Sequence, residues 1–354
     1  PNPQQQGETL ESPIPLVIAE QRENGEWEWG ETTFKQAQKV NGINIGTLLG
    51  GYGFAAEYND LVRIQEKYFG YGSVNVTFNN STTSGPNRLK LEDITSDVNI
   101  GKRNGMNMIG HNLIWPNKLP DWFKTGNYTR EERLNFLQKW ISTVIKKYPQ
   151  IETWEVVNEA YNHDILRSTI GDDYLVHLYR FAREANPNAT LIYNDYANHS
   201  QRDQSFPNGN QLEKTKRIIN MLDNEELIDG VGVQFILSAT KLPNIDDVIE
   251  TLRSYNKPVF ITEFQVIMTG VGGSQEQRML KQAEIYEKYT EALINSGVVK
   301  TIIFFNQSDR VSPFTNEPNL PGYSKNADPT LFDYDYNPKP AYYSVLRAFY
   351  NNLR

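Results

Sequence analysis

Glu159 closes the segment Thr153-Trp-Glu-Val-Val-Asn-Glu159, and Glu263 sits in Val259-Phe-Ile-Thr-Glu263-Phe, each at the end of a β-rich run. Two such carboxyl groups are what cleavage of a glycosidic bond requires. One is held protonated for the leaving oxygen, and the other is kept ionised to attack the anomeric carbon. A strand with an apolar interior delivers its last side chain to the mouth of a sheet or barrel, where it meets substrate rather than core. A lone glutamate there would more often cap a helix or pair with an arginine, so the reading rests on the pair.

The elements that must carry these two residues follow from periodicity. From about residue 41 short β-rich runs alternate with longer stretches of helical spacing, eight pairs in all. The strand candidates are 42–49, 73–78, 106–115, 153–159, 190–196, 230–237, 258–266 and 300–306, each dominated by Val, Ile, Phe or Tyr. Helix candidates lie at 129–148, 172–185, 211–222, 246–255, 275–294 and 341–353. The first opens on Thr129-Arg-Glu-Glu132, aligns Leu134, Leu137, Ile141, Val144 and Ile145 on one face, and stops before Pro149. Eight βα units of roughly 35–40 residues predict an α/β fold, a (β/α)8 TIM barrel, over residues 41–354. An open doubly wound sheet is the runner-up, but Gly50-Gly-Tyr-Gly53 has the wrong glycine spacing for a dinucleotide turn. Residues 1–40 read as an N-terminal tail, polar from Pro1 to Ser12, and a small hairpin around Glu23-Asn-Gly25 packed on the barrel.

Composition narrows the classes. The chain has 354 residues, 38% of them hydrophobic, and can bury a large core; its net charge of −8, with scattered Lys and Arg, argues against a nucleic-acid groove. The absence of cysteine removes disulfides, thiol nucleophiles and Cys-ligated metals. His111, His163, His177 and His199 lack metal-ligand spacing, so neither a metal nor a cofactor is expected. No apolar run approaches the roughly 20 residues of a membrane span. A soluble, secreted or cell-surface monomer with no membrane partner is expected, its first residue lying past a removed leader.

Gly110-His-Asn-Leu-Ile-Trp115, Leu119-Pro-Asp-Trp122, Trp154-Glu-Val-Val-Asn-Glu159, Asn194-Asp-Tyr196 and Ile261-Thr-Glu263 occur in order at the ends of strands three, four, five and seven. This run, which extends to Lys339-Pro-Ala-Tyr342, resembles glycoside hydrolase family 10, whose members are mostly endo-β-1,4-xylanases. The resemblance implies retaining cleavage of β-1,4-xylosidic bonds in xylan through a covalent glycosyl-enzyme, with Glu159 as general acid and base and Glu263 as nucleophile. It also implies that Asn158 contacts the sugar 2-hydroxyl, that His111, Trp115 and Tyr196 belong to the substrate cleft, and that Asn87 and Lys90 hold the sugars on the non-reducing side. Gln234 is implied as a hydrogen-bond partner near the nucleophile.

The departures are specific. Pro86 stands where the family has glutamate, Ile236 where it usually has histidine, and Gln265 where it tends to have aspartate. With that charged pair gone, Gln234, Gln265 and Asn306 are expected as neutral donors around Glu263. On strand eight Phe305 replaces an indole, all six Trp lie at or before Trp154, and Phe305, Phe314 or Tyr323 would have to face the sugar instead. Two alternatives follow: the same chemistry on another β-glycan or a decorated oligosaccharide, or a catalytically weak polysaccharide-binding protein on this scaffold.

Overall fold

Runs of β-branched and aromatic residues become strands buried on both faces. The computed structural model describes residues 17–21, 27–196 and 211–353. In chain order the strands are β1 (Val17–Gln21), β2 (Trp27–Glu31), β3 (Asn44–Leu48), β4 (Tyr71–Asn75), β5 (Thr83–Gly85), β6 (Arg88–Leu89), β7 (Asn107–His111), β8 (Ile151–Asn158), β9 (Thr190–Tyr196), β10 (Gly230–Ser238), β11 (Val259–Ile267) and β12 (Val299–Phe304). Strands β3, β4, β7, β8, β9, β10, β11 and β12 form one closed parallel barrel in that circular order. The (β/α)8 expectation holds.

The outer helices form where the sequence supplies both a stripe and a cap. Helix Arg130–Lys147 starts at Thr129, whose side chain accepts from Glu132 N at 3.2 Å while its own N–H donates to Glu132 Oε2 at 2.7 Å. It buries Leu137, Trp140, Ile141 and Val144 against the barrel and ends just before Pro149. Helix Phe34–Asn41 packs on the last helix, Pro340–Asn351, through Asn41 Nδ2, which donates to Phe349 O (3.1 Å) and Asn352 O (2.9 Å). The outer layer therefore begins ahead of the boundary drawn at residue 41. β1 and β2 pair as an antiparallel hairpin; the turn at Glu23-Asn-Gly25 and the tail 1–12 lie outside the described residues. Among the described residues no helix is long and apolar enough to cross a membrane.

Inside the barrel Tyr71, Ile109, Ile192, Phe260 and Ile303 form a buried layer, so the lumen is filled and substrate can meet only its ends. Two register slips aim the residues above this layer. Glu155 faces Ile192 but Val157 faces Tyr193, leaving Val156 extra in β8; Val233 faces Ile261 but Gln234 faces Glu263, leaving Thr262 extra in β11. Such bulges bend a strand and re-aim its side chains, and both sit beside the two glutamates.

The long segment between β12 and the last helix is fixed from below by buried charge. Lys339 Nζ bonds Asp309 Oδ2 (2.9 Å), Asp328 O (2.9 Å) and Thr330 O (2.7 Å), and Arg278 pairs with Asp328 at 2.7 Å. Burial pushes the Asp309 carboxyl up even against the Lys339 charge. This network holds Val311, Pro313, Phe314 and Leu320 over the barrel mouth.

Candidate active site

At the mouth where β7, β8, β11 and β12 end, a cavity of about 830 Å³ is lined by Glu159 and Glu263 together with His111, Trp115, Asn158, Phe305 and Asn306. The two glutamates, far apart in sequence, thus share one space. Three of its lining residues, Tyr52 (φ 28°), Glu159 (φ 48°) and Asn306 (φ 61°), hold the left-handed backbone conformation. Non-glycine residues adopt it at a cost of about 1–3 kcal/mol, and such strain collects at functional sites.

Glu159 is the most closely held side chain. Gln234 Nε2 donates to its Oε1 at 2.8 Å, while Trp115 Nε1 (3.1 Å) and Asn162 Nδ2 (2.6 Å) donate to its Oε2. Its backbone N–H donates to Asn194 O at 3.0 Å, which ties the end of β8 to β9. Beside it, Thr262 Oγ1 donates to Asn194 Oδ1 (2.7 Å), and Asn194 Nδ2 to Asn158 Oδ1 (3.0 Å), which also accepts from Gln234 at 3.3 Å. Four strands are thereby linked by one buried amide chain. Gly232 makes room for it, since a Cβ there would lie 2.5 Å from Asn194 Oδ1.

His111 carries the charge that the sequence reading missed. Its Nδ1 lies 2.7 Å from Oε2 of Glu155, which is fully buried. Burial opposes the charged imidazole, but Glu155, by charge and hydrogen bond, and then Glu263 and Glu159 push its pKa up to about 9. A cation therefore stands beside both glutamates at neutral pH. It supplies electrostatic support for carboxylates, where the sequence predicts only the neutral donors Gln234, Gln265 and Asn306.

Several expected roles need correction. Gln234 Nε2 donates to the other glutamate, Glu159, and to Asn158. Gln265 is fully buried and donates to Phe305 O and to Asn306 Oδ1 (3.2 Å), so it fixes the end of β12 instead of reaching Glu263. Tyr196 is buried outside the cavity, its hydroxyl donating to Asn162 Oδ1 at 3.0 Å. Asn87 and Lys90 also lie away from it, on the β5–β6 hairpin, where exposed Asn87 accepts from Lys139 Nζ at 2.6 Å. Asn75 and Thr77, at and just past the end of β4, line the cavity. The turn 79–82 and the hairpin separate Asn87 and Lys90 from the end of β4. Tyr323 is likewise not part of the lining, whereas Phe305 and Phe314 are. Ile236 packs with Ile267, Phe314 and Ala327, against which Leu320 rests, and together with Phe314 and Leu320 it gives the cavity a hydrocarbon wall. Among the described residues no cluster of His, Asp and Glu could hold a metal ion.

Glu155 and Asn162 were the functional candidates not singled out in the sequence. A charged residue within the apolar run Thr153 to Val157 was the available signal for the first; the second depends on the turn after β8 and leaves no pattern.

Three comparisons bear on this geometry. A model of glycosyl hydrolase family 10 matches residues 34–348. The chain is 30% identical over 283 residues to endo-1,4-beta-xylanase B of Thermotoga neapolitana, covering 76% of this chain and 77% of that protein. It is 30% identical over 293 residues to endo-1,4-beta-xylanase A of the same organism, covering 73% of this chain but spanning about a quarter of that longer relative's length (25%). Among solved structures, xylanase 10B from Thermotoga petrophila RKU-1 in complex with xylobiose superposes with a TM-score of 0.80 at 26% identity, covering 92% of this chain and 99% of that one. Native xylanase 10B from Thermotoga maritima gives 0.77 at 27% identity, covering 90% and 98%.

Proposed function

The chain belongs to glycosyl hydrolase family 10, and from that premise we infer that Glu263 is the nucleophile and Glu159 the general acid and base of a retaining endo-β-1,4-xylanase acting on xylan. The observation that carries this reading is that both carboxyls, from β11 and from the end of β8, line one cavity at the barrel mouth.

In the first step the Glu263 carboxylate attacks the anomeric carbon as the bond to the leaving oxygen breaks, and Glu159 gives that oxygen its proton. In the second, water attacks the anomeric carbon, Glu159 takes the water's proton, and Glu263 departs with its bonding electrons. The His111 cation faces both carboxyls across the cavity. Asn158, whose Oδ1 is held by Asn194 and Gln234, has Nδ2 left to donate to a sugar hydroxyl, a bond that strengthens as the oxocarbenium ion forms. Trp115 both anchors Glu159 and faces the cavity, where its indole can stack on a pyranose ring. Polymeric substrate places the work outside the cell or at its surface.

Purified protein incubated with xylan, β-glucan and mannan, with products sized over time, tests the assignment. Early mid-length fragments from xylan support it, and binding of xylan without cleavage refutes it. A second reading, xylan chains bearing apolar substituents, draws support from the Ile236, Phe314 and Leu320 wall, which offers no hydrogen bond to a bare hydroxyl. A higher kcat/KM on acylated than on deacylated xylan would favour it, and the reverse ratio would dismiss it.

A further inference from the structure

We propose that Asn162, held by Tyr196, is a positioning residue that sets the proton affinity of Glu159 and so the alkaline limit of the reaction. The proposal rests on the role assigned above to Glu159.

The left-handed backbone at Glu159 turns the chain so that Asn162 N donates to Glu159 O at 3.1 Å, which brings the Asn162 side chain back onto the carboxyl three residues earlier. There Asn162 Nδ2 lies 2.6 Å from Oε2, at the short end for a donor to a carboxylate. An amide can present either end, and Tyr196 decides which: its hydroxyl donates to Asn162 Oδ1 at 3.0 Å, turning Nδ2 toward Glu159. Tyr196 ends β9 and is 1% exposed, so the orienting group is fixed by the barrel rather than by the loop.

A donor to the charged form lowers a carboxyl's proton affinity. Glu159 must be protonated in the first step and ionised in the second, so its affinity cannot be moved far either way without slowing one of them. Two charged groups from other elements face Glu159 in the cavity, His111 from β7 and Glu263 from β11, and the Asn162 replacement leaves both in place. Trp115 and Gln234 donate as well, but they lie at the end of β7's loop and on β10 and have no comparable orienting partner in Tyr196.

The test is the pH profile of kcat/KM on xylo-oligosaccharides, whose alkaline limb reports the acid in the free enzyme. Asn162→Ala should move that limb up by roughly one to two pH units, leaving the acidic limb in place as an internal control. Tyr196→Phe should move it the same way by less, because Nδ2 remains but is no longer oriented. An alkaline limb unmoved in Asn162→Ala, with or without a lower rate, overturns the proposal and leaves Asn162 a structural residue. A carbon-13 NMR titration of the Glu159 carboxyl in both proteins reads the same shift without turnover. Wild-type protein that cleaves no xylan, together with an upward shift of the titration in Asn162→Ala, would therefore refute the proposed function while sustaining this inference, and a titration unshifted in Asn162→Ala would refute the inference alone.

Discussion

Glu155→Gln isolates the source of the charge in the cleft. The replacement keeps the size of a fully buried side chain 2.7 Å from His111 Nδ1 and removes only its charge. The His111 pKa of about 9 stands about 2.5 units above the ordinary 6.5, and at 1.36 kcal/mol per unit that equals about 3 kcal/mol favouring the protonated, folded state. Because the folded value is the higher one, this stability is fully present below pH 6.5 and is lost as pH rises through 9. For a chain of this length the loss corresponds to roughly 4 °C in Tm. Thermal unfolding followed from pH 6 to pH 10 should therefore show wild type losing about that much across the window while Glu155→Gln starts lower and loses less. The variant should also lose activity at neutral pH, since the strongest partner of the imidazolium is gone. Parallel pH curves for the two proteins would refute the reasoning, because His111 would then owe its charge to something other than Glu155.

Glu159→Ala should cut the rate on xylan by about 10²–10⁴-fold yet largely spare an aryl xylobioside with a good leaving group in its first step, and added azide should restore turnover of the latter; equal loss on both substrates would count against the acid role. Lys339→Met leaves Asp309 buried without its cation and should cost about 3–5 kcal/mol at neutral pH, read as a drop in Tm that narrows at low pH, where Asp309 takes up a proton. Gly110→Ala places a Cβ 2.4 Å from Trp154 Cε3, so overpacking should cost about 1–3 kcal/mol and disturb the neighbouring His111, visible as a lower Tm and reduced kcat together.

The barrel was legible because each strand is a self-contained run: Thr190–Tyr196 was read to its ends, and β10 and β11 to within one residue at each end. The two glutamates were legible for the same reason, since a strand end points at the mouth whatever surrounds it. Partnerships were less so. Gln234 and Gln265 were read as flanking Glu263 from their places in the sequence, but a single extra residue, Thr262, shifts the register beside them, and one serves Glu159 while the other serves β12. Asn87 and Lys90 matched a motif in composition while the hairpin carried them off the cleft. The His111 and Glu155 pair joins β7 to β8 over 44 positions, and nothing local to either residue announces the other.

The central claim is that Glu263 forms a bond to the sugar. Incubation with an activated 2-deoxy-2-fluoro-xylobioside, which slows the second step more than the first, followed by proteolysis and mass spectrometry, reads it directly. The account predicts one added fluoroxylobiosyl unit on the peptide containing Glu263, lost when Glu263 is replaced by Ala. A label on another side chain, or turnover that releases inverted product with no labelled peptide, would contradict it.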